Sequence, residues 1–71
     1  MIDYILTGEN IRKAIHDSGR KTVEVSEIME VDANTVYRWQ CGARMPSLDN
    51  FTELADLLGK KIDDFIVRRR N

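Results

Sequence analysis

The most distinctive chemistry in the chain lies in residues 32 to 47, which read DANTVYRWQCGARMPS. Within this stretch, Asn34, Tyr37 and Arg38 offer an amide, a phenol hydroxyl and a guanidinium, which are donors and acceptors for hydrogen bonds to a partner. The stretch begins with an aspartate, a preferred helix N-cap residue, and Gly42 stands where a helix commonly ends. The pattern predicts a short helix, bounded at both ends, that exposes polar side chains for recognition.

Residue types that catalyse reactions or bind metals are scarce. The chain contains one cysteine, Cys41, and one histidine, His16, so no internal disulfide and no zinc-binding Cys/His set can form. It also lacks a Gly-rich phosphate loop after a strand and a nucleophile supported by a histidine. We therefore predict a protein that is not an enzyme and uses no metal or cofactor. Cys41 is expected to be partly buried near a helix end, and His16 to be solvated.

Length and charge limit the class of protein further. The chain has 71 residues, enough for one domain. Its net charge is −1, and Arg68, Arg69 and Arg70 supply three of its eleven positive charges. This basic tail is expected to be either a solubilising terminus or an arm that touches phosphates or a partner. Without an apolar stretch of bilayer-spanning length or a basic signal-peptide start, we expect a cytoplasmic protein that does not enter a membrane.

Helix caps and apolar spacing predict five helices and no strands. The predicted helices cover about residues 8 to 18, 21 or 22 to 29 or 30, 33 to 41, 48 to 58 and 62 to 67. The expected N-caps include Thr7, Asp32 and Ser47. Trp39 is expected to be a core anchor because it shares a helix face with Val36, three residues earlier. The expected fold class is a compact all-α domain over residues 1 to 71, with its core from about 7 to 67.

The connection between the second and third predicted helices is only two or three residues long, around Val31. So short a turn forces a sharp angle between the helices and leaves the third on the surface, which is helix-turn-helix geometry. Three segments carry a wider resemblance: GENIR at 8 to 12, VDANTVYRWQCGARMPS at 31 to 47, and LADLLGKKIDDF at 54 to 65. In these segments the chain resembles the Cro and phage-repressor helix-turn-helix proteins, also called XRE-type regulators.

This resemblance implies both a fold and a function. The fold would be a five-helix repressor-like DNA-binding domain with its helix-turn-helix at helices 2 and 3. The function would be that of a transcriptional regulator of bacterial or phage type, a repressor that binds a double-stranded DNA operator in a sequence-specific way. One such domain contacts only a few base pairs, so we expect a homodimer on two half-sites about one helical turn apart.

The resemblance also assigns site residues. In that family the third helix lies in the major groove and its exposed N-terminal half contacts base edges. Matched by position, the base-reading residues are Ala33, Asn34, Tyr37 and Arg38. The residues expected to contact DNA phosphates are Arg20, Lys21, Thr22 and Arg44. The hypothetical dimer surface on the fifth helix consists of Phe65, Ile66 and Val67.

Several positions depart from the family pattern. Thr22 stands where members usually have Gln, and Glu30 stands where a glycine commonly fills the turn. Glu30 would cost about 1 kcal/mol relative to glycine if it adopted a left-handed backbone. An Arg and Glu pair common in the family is replaced at both positions, by Ile15 and Gln40, so no buried charge is left without its partner.

An alternative function remains open at this point. The chain could be a protein-interaction module, or an antitoxin, that uses the same fold with weak or no autonomous DNA binding. The acidic balance of residues 1 to 67, eight positive against twelve negative side chains, favours this alternative. It predicts a protein partner bound on the acidic surface of helix two or helix four.

Overall fold

Five helices account for most of residues 1 to 69, the part of the chain that the computed structural model describes. They are α1 (Tyr4–Asp17), α2 (Thr22–Met29), α3 (Ala33–Cys41), α4 (Leu48–Leu58) and α5 (Ile62–Phe65). The only strand-like feature within these residues is an isolated antiparallel bridge between Ile2 and Arg68. The predicted all-α class is therefore confirmed. None of the described helices combines the length and hydropathy that crossing a membrane requires.

The bounds of α3 and α4 follow from the predicted caps, and α2 starts within the predicted range with a cap that was not predicted. The Asp32 carboxylate accepts a hydrogen bond from the backbone N–H of Asn34 at 2.8 Å, and the Ser47 hydroxyl accepts one from the backbone N–H of Asn50 at 3.2 Å. At the start of α2, the Glu24 carboxylate accepts from the N–H of the residue before the helix at 3.0 Å. These bonds satisfy N–H groups that a helix start otherwise leaves free.

The predicted start of α1 was wrong. The helix begins at Tyr4 because the Asp3 carboxylate caps it, accepting a hydrogen bond from the backbone N–H of Leu6 at 3.0 Å. Thr7, expected to be the N-cap, lies inside the helix and is fully buried. Its hydroxyl oxygen accepts a hydrogen bond from the backbone N–H of Val67 at 3.0 Å. Thr7 therefore links α1 to the C-terminal segment and does not cap the helix.

The chain beyond α5 also differs from its prediction. The helix ends at Phe65, and the backbone of Ile66 is already extended, with ψ of 122°. The following residues run beside the N-terminus, where the N–H of Asp3 donates to the carbonyl of Val67 at 2.7 Å and the N–H of Arg69 to that of Met1, also at 2.7 Å. Arg68 and Arg69 are thus held by backbone pairing while their side chains are exposed. Arg70 lies outside the described residues.

This arrangement corrects the expected dimer surface. The side chain of Phe65 is 0% exposed and its ring lies 6.4 Å from that of Phe51, centroid to centroid. Phe65 is therefore a core residue that cannot contact a second molecule. Ile66 and Val67 are half-buried, and Ile66 packs against the core.

The core holds α3 in place between α1 and α2. Trp39 is 1% exposed and Val36 is 0% exposed, which confirms Trp39 as a core anchor. The other large, fully buried side chains come from α1, α2, α4 and α5: Ile11, Val25, Leu54 and Phe65. Gly8 allows α1 to approach α3 closely, because a Cβ atom at this position would lie 2.5 Å from the carbonyl oxygen of Trp39. The orientation of α3 is therefore fixed by packing along its whole inner face.

Glu30 adopts the left-handed backbone conformation for which the sequence analysis estimated a cost relative to glycine. Its φ and ψ are 57° and 42°, and it is the one non-glycine residue with positive φ in the described part of the chain. We predict that Glu30→Gly raises the free energy of unfolding by about 1 kcal/mol, because glycine has no Cβ to clash in this region. A thermal melt should show a midpoint roughly 5 °C higher.

The matched control is Glu27→Gly in the interior of α2. Glu27 is exposed and helical, so the same replacement there should destabilise the protein by about 1 kcal/mol. If both variants lost stability equally, Glu30 would not occupy the left-handed turn.

Candidate nucleic-acid interface

The outer face of α3 presents a single polar stripe. Val36 and Trp39 point into the core, so the helix turns Asn34, Tyr37 and Arg38 outwards, and all three are exposed. Tyr37 keeps 52% of its surface accessible. Spacings of three and four residues place the three side chains next to one another on the helix surface. The structure thus brings these three predicted recognition residues together.

The two ends of this stripe differ from its centre. Ala33 is half-buried at the N-terminal end, where the neighbouring Asp32 carboxylate is occupied in capping. At the C-terminal end Cys41 is exposed, which corrects the expectation of partial burial. Its thiol donates a weak hydrogen bond to the carbonyl of Arg38 at 3.5 Å. Cys41 therefore extends the exposed stripe by one helical turn.

Thr22 at the start of α2 is tied to α3 by a hydrogen bond that the sequence analysis missed. The side-chain N–H of Gln40 donates to the Thr22 hydroxyl oxygen at 2.8 Å, and both residues are half-buried. Because a hydroxyl both accepts and donates, the Thr22 proton remains available to a second acceptor such as a phosphate oxygen. Gln40 therefore acts as a positioning residue that fixes the start of α2 against α3.

A groove joins the start of α2 to the stripe on α3. Arg20, Lys21 and Thr22 line this groove together with Tyr37, so three of the four predicted phosphate-contacting residues adjoin a predicted base-reading residue. The opposite wall comes from α1 and contains Arg12 and His16. None of the side chains that line the groove is a carboxylate, although the chain contains twelve acidic residues.

Arg12 and His16 line the groove although the sequence did not predict them as interface residues. Both are exposed, which confirms the expectation that His16 is solvated. Ile11 and Ile15 are buried, so the register of α1 does put Arg12 and His16 on an outer stripe. The sequence contains no signal for which neighbouring helix that stripe meets.

Arg44 lies on the other side of α3. It is exposed and lines a depression between α3 and the start of α4, next to Thr35, Ser47 and Asn50. Thr35 is half-buried there. The outer stripe of α3 consequently has cationic side chains on both flanks: Arg12, Arg20 and Lys21 on one, and Arg44 on the other.

No family model, curated protein or solved structure was found to match the chain. The resemblance to XRE-type regulators therefore stays a prediction from the sequence motifs. Among residues 1 to 69, no three His, Cys, Asp or Glu side chains gather into a group that could hold a metal ion. The surface around α3 presents exposed hydrogen-bonding and cationic side chains.

Proposed function

We propose that the protein is a sequence-specific, double-stranded DNA-binding regulator of the repressor class, which reads the major groove with α3. The observation that carries the proposal is the outer stripe of α3, with Asn34, Tyr37 and Arg38 exposed between two cationic flanks. A helix of this diameter fits the major groove of B-form DNA, where each base pair presents a distinct pattern of donors and acceptors.

The side chains on the stripe suit that readout. Asn34 can make two hydrogen bonds to adenine, and Arg38 can make two to guanine. Tyr37 can reach a base or a phosphate through its hydroxyl, and Ala33 can contact a thymine methyl group. In this proposal α2 and α3, joined by the tight turn at Glu30, form the helix-turn-helix of a five-helix repressor-like domain.

The cationic flanks suit the two phosphate backbones that border a major groove. In this proposal Arg20, Lys21 and Thr22, which line the groove beside α3, contact one backbone. Arg44, in the depression on the other side of α3, contacts the second backbone. A net charge of −1 does not oppose this binding, because charges farther away than about 8 Å are largely screened at physiological salt. The local charge of the contacting face therefore governs the attraction.

We predict that duplex DNA binding weakens as salt rises, so that the logarithm of the association constant falls linearly with the logarithm of the salt concentration. Lys21→Ala should make this negative slope shallower by about 0.9, because it removes one phosphate contact. Arg12→Ala should have a similar effect if the α1 wall of the groove also faces the backbone. Fluorescence anisotropy with one labelled duplex over a series of salt concentrations measures these slopes.

The matched control is Lys60→Ala, which removes an exposed lysine that lines a different depression, next to Asp64. Its salt slope should equal that of the wild type. Equal slopes for Lys21→Ala, Arg12→Ala and wild type would contradict the assignment of the groove to the DNA backbone.

A protein-interaction module or antitoxin is the second candidate function, favoured by the outer face of α2. Ile28 is 49% exposed there, beside the exposed carboxylates of Glu24 and Glu27. This acidic and apolar face could bind a basic protein. Absence of salt-sensitive duplex binding by the folded chain would favour this second function over DNA reading.

A further inference from the structure

Five of the nine large apolar side chains that are exposed in the described part of the chain lie at its N-terminus and in the first turn of α1. They keep large fractions of their surface accessible: Met1 90%, Tyr4 56%, Ile5 67%, Leu6 44% and Ile2 39%. All five line one continuous depression, together with Asp3, Gly42 and Arg69. We call these five apolar residues the N-terminal patch.

The N-terminal patch is built into the fold. Asp3 caps α1 through its side chain and pairs with Val67 through its backbone N–H at 2.7 Å. Thr7, one residue beyond the patch, is buried and accepts a hydrogen bond from the N–H of Val67. These bonds fix the backbone that carries the patch, so a partner would not have to order that backbone on binding.

We propose that the N-terminal patch is the contact surface of a symmetric dimer of this chain. Five large apolar side chains exposed to this degree form a patch on the order of 500 Å², at the upper end for a monomeric protein. Two such patches face to face would bury roughly 1,000 Å² in total, which is the lower limit for a specific interface. The dimer would therefore be weak in free solution and reversible.

Charges at the edges of the patch favour a second copy as the occupant. The charged side chains that line the depression are those of Asp3 and Arg69, one of each sign. A two-fold axis through the patch lets the Arg69 guanidinium of one copy approach the Asp3 carboxylate of the other. The surface is therefore complementary to itself in charge as well as in apolar character.

The position of the patch relative to α3 gives a further reason, which rests on the proposed function. Gly42, directly after α3, packs so tightly on the start of α1 that a Cβ there would lie 2.8 Å from the carbonyl oxygen of Tyr4. A dimer through the patch therefore brings the C-terminal ends of both α3 helices towards the two-fold axis. A two-fold dimer of this kind presents two copies of α3 to the duplex, as an operator with two half-sites requires.

The experiment is sedimentation equilibrium of the full chain without DNA, from low micromolar to near-millimolar concentration. Wild type should show a reversible monomer–dimer equilibrium, and Ile5→Glu should raise the dimer dissociation constant at least tenfold, by burying an unpaired charge. Ile28→Glu, the same replacement at an exposed isoleucine on α2, should leave the constant unchanged. Circular dichroism checks folding, and Tyr4→Ser replaces Ile5→Glu if that variant unfolds.

The proposal would be overturned if wild-type protein stayed monomeric at every concentration. It would also be overturned if Ile5→Glu and Ile28→Glu changed the dissociation constant equally. Binding of the patch to another protein or to a lipid surface would not rescue it. A second arm compares DNA targets. Loss of the dimer should weaken binding to a full inverted repeat about a hundredfold and leave a half-site unaffected. If wild type dimerises but selects no DNA sequence, the proposed function fails and the dimer surface stands.

Discussion

Gly8→Ala is expected to destabilise the protein by about 3 kcal/mol, although the same replacement in an ordinary helix interior stabilises by roughly 1 kcal/mol. The reason is the close approach of α1 to α3. A Cβ at Gly8 would lie 2.5 Å from the carbonyl oxygen of Trp39, 2.7 Å from that of Gln40 and 2.9 Å from the backbone nitrogen of Gly42. Since all three atoms are backbone, no side-chain rotation relieves the clash, and the two helices must move apart.

Urea and thermal unfolding, followed by circular dichroism, measure this loss. The control is Gly19→Ala, where φ is +78° but no heavy atom lies within 4 Å of the added Cβ. That variant isolates backbone strain and should lose only about 1 kcal/mol. A Gly8→Ala protein as stable as wild type would show that α1 and α3 are farther apart than described, and would remove the packing that orients α3.

The second large effect is expected from the recognition stripe. Tyr37→Ala and Arg38→Ala should each weaken binding to the cognate DNA site by roughly 1–3 kcal/mol and leave binding to unrelated duplexes nearly unchanged. Their combination should lower cognate affinity about a hundredfold or more. Both side chains are exposed, so stability should change little, and titrations of a cognate and a scrambled duplex measure the difference.

Arg38→Lys is the matched control for charge. Lysine keeps the positive charge but lacks the planar fork that pairs with guanine through two hydrogen bonds. We expect it to retain non-specific affinity and its salt dependence while losing most of the base discrimination at one position. Full cognate affinity in Arg38→Lys would mean that Arg38 contacts a phosphate and does not read a base.

Much of the helical framework could be predicted because its signals are local. Asp32, Ser47 and Gly42 act on N–H and carbonyl groups within a turn of themselves, so the bounds of α3 and α4 followed from the sequence. The start of α1 did not, because two capping residues compete there. The Thr7 hydroxyl accepts a hydrogen bond from Val67, sixty residues away, and does not cap the helix. Capping rules consider only neighbouring residues, so they cannot predict a partner at that distance.

The same distinction applies to the candidate interface. The outward direction of Tyr37 and Arg38 followed from the inward spacing of Val36 and Trp39. By contrast, the groove that joins α1, α2 and α3 depends on which helix faces meet in three dimensions. The position of Arg12 in the groove and the hydrogen bond between Gln40 and Thr22 could therefore be seen only in the structure.

Selection of bound duplexes from a random library tests the central claim most directly. Purified wild-type protein at modest salt should enrich an inverted repeat whose half-sites lie about one helical turn apart. The double variant Tyr37→Ala and Arg38→Ala, shown to be folded, should enrich no such repeat. If folded wild-type protein enriched no sequence, or the double variant enriched the same repeat, the proposal that α3 reads DNA would be contradicted.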